Sequence, residues 1–181
     1  MPTADALLVG GILITLLNHC DRVKIACLAQ LVNVLAPIMT RTGGPAWRQT
    51  IFHPFAAASR HGRGTVLQTK IDAPRYHPKG MKDVPLIDAC VVRGDDGGVT
   101  AFVLHRDLTN PVDLTLELRS FAALKLAGWD LLHDADLDAV NSEAQPSRIT
   151  LKPASGATLS DNKLAATLPP ASWSVFRLVP G

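Results

Sequence analysis

Glutamate is almost missing from this chain, with only Glu117 and Glu143 among its 181 residues. Cysteine is scarce as well. Cys20, Cys27 and Cys90 are odd in number, lack a CxxC spacing and each have apolar neighbours. That pattern argues against a disulfide framework or a zinc site, and for buried free thiols in a reducing compartment. Neither sign of charge is in excess: 18 Lys and Arg face 16 Asp and Glu, for a net charge of +2. No long-range field draws the chain to nucleic acid. The densest basic cluster, RHGR at Arg60 to Arg63, reads as a solvated loop. The apolar run in MPTADALLVGGILITLL is preceded by Asp5 but by no Lys or Arg, and is shorter than the ~20 residues of a membrane span. A cytoplasmic protein without a membrane or nucleic-acid partner is therefore expected. HExxH and other metal-ligand spacings are absent too, so neither metal nor cofactor is expected.

What remains is an ordinary folded composition, 47% hydrophobic and 19% charged, long enough for one full domain and part of another. The two parts follow different periodicities. Ala6, Leu7, Gly10, Leu13, Leu17 and Cys20 recur at spacings of three and four, which predicts an amphipathic helix capped by Thr3. VKIACLAQ then reads as a short strand, apolar on both parities and so buried on both faces. After the loop TRTGG, the stretch PAWRQTIFHPFAAASRHG predicts a second helix with Pro45 in its first turn, Pro54 interrupting its middle and Gly62 ending it. Such a piece cannot close a sheet by itself.

From Thr65 onward the period is two. GTVLQTKI, LIDACVVRG and GVTAFVLHRD read as a strand followed by a hairpin around the turn Asp95 to Gly98. Val112, Leu114, Leu116 and Leu118 alternate with Asp113, Thr115, Glu117 and Arg119, giving one core face and one wet face. Further strands are predicted in LKLAGWDLLH, SRITLKP, LAATL and SWSVFRLV. Short strands at this spacing indicate an antiparallel sandwich.

Candidate site residues are few. Gln30 and Asn33 lie at or just past the C-terminal end of the run 23–29, where α/β folds place ligands, and their amides suit hydroxyl-rich molecules. The competing explanation is that they tie down a local loop. Hydrolysis by two carboxylates about 5 Å apart needs a pair that this chain does not offer. Glu117 is on the outward parity of a strand and Glu143 is in the polar segment NSEAQPS. The aspartates fall at caps and turns, and His19, Cys20 and Asp21 adjoin at a helix end, where local roles suffice. GRGT reads as a connector rather than a phosphate loop, and Trp47, Trp129 and Trp173 as packing residues.

The stretch DALLVGGILITLLNHCDRVKIACLAQLVNVLAPIMTRTGGPAWRQTIFHPF resembles the end of the catalytic barrel of family 51 α-L-arabinofuranosidases, and LSDNKLAATLPPASWSVFRL resembles their C-terminal sandwich. The resemblance implies a mainly β fold: a jelly-roll-like antiparallel β-sandwich at 63–181, preceded at 1–62 by a helix–strand–helix remnant of a (β/α)8 barrel. It implies the C-terminal portion of a retaining hydrolase that removes terminal α-L-arabinofuranosyl groups from arabinan and arabinoxylan oligosaccharides. The family's two catalytic glutamates lie on earlier barrel strands, so no catalytic residue is expected here and the isolated chain is expected to be inactive. Within LAQLVN, Gln30 matches a glutamine that hydrogen-bonds the arabinose, whereas Asn33 matches a mainly structural position. Expected partners are the arabinofuranosyl oligosaccharide, the missing N-terminal barrel segment and a homo-oligomer. His53 and His105 depart from the Tyr and Asn frequent in the family. A stand-alone sandwich that binds sugar or protein is the alternative, although such a module has no need of residues 1–62.

Overall fold

The computed structural model describes residues 1–119, 121 and 123–181. Its centre is a six-stranded antiparallel sheet in the order β10-β9-β13-β7-β6-β3. These strands are β3 (Thr65–Leu67), β6 (Ile87–Arg93), β7 (Val99–His105), β9 (Leu124–Leu132), β10 (Lys152–Pro153) and β13 (Ser172–Pro180). A second sheet, β11-β12-β8, comprises β8 (Val112–Glu117), β11 (Thr158–Ser160) and β12 (Lys163–Leu168). The mainly β sandwich expected from the period-two half is therefore present. Strand β11 escaped the pattern, and SRITLKP contributes only the two residues of β10.

The large sheet is buried on both faces, a feature that the period-two pattern does not reveal. On one side Ala89, Val91, Phe176 and Trp129 pack with Leu164, Ala166 and Leu168 of β12. On the other, Cys90, Val92, Phe102 and Trp173 pack with Ala6, Leu7 and Ile14 of α1 (Thr3–Asn18) and Ala57 of α2 (Phe52–His61). Alternate residues of one strand thus enter two different cores. The helices share one of those cores with the sheet, so three layers result.

Close approach of α1 depends on its paired glycines. A Cβ at Gly10 would lie 2.7 Å from the Trp173 indole, and one at Gly11 would lie 2.9 Å from Leu104 Cδ2. Trp173 stacks in turn on Phe102 with ring centroids 5.7 Å apart. Thr3 does not cap the helix: it is the first helical residue, fully buried, and its hydroxyl donates to the Ala139 carbonyl at 3.2 Å.

In the second helix the sequence expectation was displaced. Pro45 lies in a small hairpin of β1 (Ile38–Thr40) and β2 (Ala46–Arg48), and α2 begins only at Phe52. Pro54 therefore occupies the first turn, where a missing N–H breaks no intrahelical bond. Gly62 closes α2 as expected, its N–H donating to the Ala58 carbonyl at 2.8 Å. A further two-stranded pair joins β4 (Arg75–Tyr76) and β5 (Val84–Pro85).

The largest correction concerns 23–29. The segment carries no strand pairing and is mostly exposed, with Ile25 at 84%. A strand apolar on both parities needs a neighbour at each edge and a layer on each face, and no described residues supply them. The cysteine expectation fails for the same reason. Cys90 is buried, whereas Cys20 and Cys27, at the end of α1 and within the unpaired run, are exposed. All three are free, and burial pushes the Cys90 thiol up to about 12.

Gly10→Ala gives the packing of α1 a direct test. Alanine's intrinsic helix advantage is about 1 kcal/mol, yet its methyl must displace a fully buried indole. The substitution is expected to lower the unfolding free energy by about 1–2 kcal/mol, measured in urea. A stabilised variant would contradict this contact.

Candidate functional site

The candidate site is the connection from α1 to the β1–β2 hairpin. At the end of α1 the His19 N–H donates to the Thr15 carbonyl at 3.1 Å, and a tight turn follows. Arg22 reaches His19 Nδ1 at 3.0 Å and the Asp21 carboxylate at 3.7 Å, all exposed. His19, Cys20 and Asp21 therefore form a solvated corner rather than a catalytic group. Lys24, the one charge in 23–29, folds back to donate to the Cys20 carbonyl at 2.7 Å.

Beyond the unpaired run, Gln30, Asn33 and Val34 all have positive φ, at 59°, 61° and 53°. This conformation strains a β-branched Val34 most. Local hydrogen bonds hold it. Asn33 Oδ1 accepts the Thr40 N–H at 2.7 Å, its Nδ2 donates to Thr40 Oγ1 at 2.9 Å, and its N–H donates to the Ile38 carbonyl at 2.8 Å. Asn33 is thus the structural amide of the pair. Gln30 is exposed, and among the described residues its side chain makes one hydrogen bond, a long one, accepting the Leu35 N–H at 3.5 Å. Its amide is otherwise available to a ligand.

The residues that fix this turn were not found by sequence pattern. Gln49, 5% exposed, donates from Nε2 to the Ala36 carbonyl at 2.8 Å, and its N–H donates to the Pro37 carbonyl at 2.8 Å. Asn141, 6% exposed, donates from Nδ2 to the Arg48 carbonyl at 2.9 Å. Each is a lone amide in a polar stretch, and no spacing rule distinguishes such a residue from a solvated one. Glu143 pairs with Arg41 at 2.8 Å. Glu117 bonds Arg119 and lies 3.7 Å from Lys163. Both glutamates are thus spent on surface ion pairs on different elements, as their sequence context indicated.

Around the turn the surface is unusually apolar. Leu31 and Val34 are each 72% exposed, and Leu35 is 63% exposed. Leu8 and Ile12 on the outer face of α1 border a cavity of about 600 Å³ that reaches Tyr76 and Leu108. Trp129 and Trp173 are buried packing residues, and Trp47 is half-buried opposite Met39. Gly64, at φ 130°, lets β3 approach the Arg93 carbonyl, so GRGT is a connector. Among the described residues no group of three or more His, Cys, Asp or Glu is placed to hold a metal, and no helix is long and apolar enough to cross a membrane.

His53 follows the hairpin at the start of α2, with its Nε2 buried and unpartnered. Burial, aided by the nearby Arg48 guanidinium, lowers its pKa from 6.5 to about 4. Arg48 itself sits 4.7 Å from the Phe52 ring centroid. Unfolded His53 takes up its proton near pH 6.5, whereas the folded residue resists it until about 4. In that window the unfolded state binds more protons, so stability falls as pH drops and levels off below it. His61, also lowered by burial, adds in the same direction. His53→Phe is expected to flatten part of this slope in denaturation series between those pH values. An unchanged slope would contradict it.

Comparison with known proteins places these features in context. The family described as "Alpha-L-arabinofuranosidase C-terminal domain" matches residues 2–172. An intracellular exo-α-(1→5)-L-arabinofuranosidase of Streptomyces lividans is 44% identical over 96% of this chain and 26% of its own length. One of Halalkalibacterium halodurans is 45% identical over 96% of this chain and 35% of its own. A family 51 α-L-arabinofuranosidase from Bifidobacterium longum superposes with a TM-score of 0.92 at 40% identity, covering 98% of this chain and 35% of that one. The chain therefore spans between about a quarter and about a third of the length of the relatives it matches.

Proposed function

This chain belongs to the α-L-arabinofuranosidase C-terminal domain family, and from that premise we propose that it is the C-terminal portion of a retaining exo-α-L-arabinofuranosidase. In this reading residues 1–62 close a (β/α)8 barrel and residues 63–181 form the sandwich. Within the complete barrel the run 23–29 pairs as the last strand, and Gln30 at its end hydrogen-bonds the arabinofuranosyl group. The observation that carries the reading is the unpaired run itself: apolar on both parities, mostly exposed, and ending in an amide with little else to bind among the described residues.

The chemistry follows from what the chain holds and what it does not. Retaining hydrolysis needs a carboxylic acid to protonate the leaving oxygen and a carboxylate to attack the anomeric carbon from the opposite face, about 5 Å apart. Glu117 and Glu143 are engaged elsewhere. The proposal therefore assigns both carboxylates to a barrel segment that pairs with 23–29, and gives Gln30 the role of orienting the sugar through its donor and acceptor. The same barrel segment would cover Ile25 and Leu31. The substrate is then a terminal α-L-arabinofuranosyl oligosaccharide, the site of action is the cytoplasm, and the sandwich contributes to a homo-oligomer.

Two outcomes are expected. The isolated chain, rigorously purified, turns over no aryl α-L-arabinofuranoside; measurable turnover would overturn the assignment of the carboxylates. Mixed with the remaining, barrel-bearing portion of the Streptomyces lividans relative, it is expected to restore hydrolysis. In that mixture Gln30→Ala should lower kcat/KM by roughly 10- to 100-fold, the loss of one or two sugar hydrogen bonds. An unaltered kcat/KM would remove Gln30 from the sugar site.

A further inference from the structure

The loop 133–151, between β9 and β10, does more than connect two strands of the sandwich. Arg148 fastens its base, reaching the Asp136 carboxylate at 2.9 Å. Its middle grips the start of α1: the Thr3 N–H donates to the Ala139 carbonyl at 2.9 Å, and the Ala4 N–H donates to the Leu137 carbonyl at 3.0 Å. Its far side reaches the β1–β2 hairpin through Asn141. This side chain is almost fully buried, and every hydrogen-bonding atom is used. Oδ1 accepts the Ile149 N–H at 2.7 Å, while Nδ2 donates to the Ile149 carbonyl at 2.8 Å and to the Arg48 carbonyl at 2.9 Å.

From Arg48 the connection runs directly to the turn that carries Gln30. Arg48 pairs with Ile38 across the hairpin, and the Ile38 carbonyl accepts the Asn33 N–H. The next residue, Gln49, holds Ala36 and Pro37 from the other side. Asn33 braces the positive-φ turn locally, but Gln30, Leu31, Val34 and Leu35 are exposed, so the turn is tied to the rest of the fold through the hairpin and Gln49. We infer that Asn141, a residue of the sandwich, is a positioning residue for the sugar-facing turn of residues 30–36. The inference deepens the proposed function and rests on its reading of Gln30 as the sugar contact.

The sandwich thereby acquires a specific part in substrate recognition: it sets where Gln30 stands. Asn141 is a suitable residue because one amide can accept from its own loop and donate to a second element simultaneously. Asn141→Asp keeps the acceptor for the Ile149 N–H and loses both donated bonds. Asn141→Ala loses all three.

Backbone amide exchange of the whole chain tests this without any sugar. In both variants the amides of Asn33, Ala36, Thr40 and Gln49 are expected to exchange about tenfold faster or more, the consequence of the part-buried Arg48 carbonyl losing its donor. Amides of β6, β7 and β13 should keep their protection. Acceleration spread equally over those strands, or unchanged exchange in the turn, would overturn the inference. Should Asn141→Ala fail to fold, the Asp variant carries the same decision. Gln30→Ala is expected to leave these amides unaltered, so a failed sugar contact shows in the activity of the reconstituted enzyme alone, and a failed positioning role shows in exchange alone.

Discussion

The contact on which the arrangement depends is the seating of Gly10 and Gly11 against Trp173 and Leu104. Without a Cβ at either position, α1 lies directly on the six-stranded sheet, and Trp173 fills the space between them, stacked on Phe102. Burial of such surface stabilises at roughly 25 cal/mol per Å², and here it joins a helix early in the chain to strands that follow it by some hundred residues in sequence. Loop 133–151 then clasps the start of α1, and Asn141 extends the clasp to the hairpin. The position of the exposed turn at Gln30 is inherited from that packing.

Against this rigid frame, 23–35 stands out as a segment whose composition and surroundings disagree. Apolar side chains at Ile25, Leu31, Val34 and Leu35 face outward, although burying any of them would be favourable by about 1.5–3 kcal/mol. Lys24, the kind of charge that discourages edge pairing, is folded onto its own backbone. A surface with these properties either meets a partner or promotes aggregation. Under the proposed function the partner is the rest of a barrel, and the sequence pattern of 23–29 records a burial that only the complete enzyme achieves.

That disagreement also explains what was legible in the sequence. Period two at Val112 to Leu118 gave β8 with the correct face inward, because the strand has one dry face and one wet one. The strands β6 and β7 were legible as strands, but the helices covering their second face were not, since an unbroken apolar run does not say what covers it. The expected strand at 23–29 failed because pairing is a property of neighbours. Pro54 was misplaced because a proline marks a boundary equally well from the first turn or from a break. At the site, Gln30 and Asn33 were found by position relative to an expected strand, whereas Gln49 and Asn141 act over 13 and 93 residues of sequence, through carbonyls that no side-chain pattern reveals.

Under the proposed function this chain works only as part of a larger assembly, and the mass of the native species in its host tests that most directly. Native mass spectrometry of the protein isolated under gentle conditions should find the sequence either in a polypeptide well above 19.3 kDa or in a stoichiometric complex with a barrel-bearing chain. A free, soluble monomer of 19.3 kDa as the sole species would contradict it.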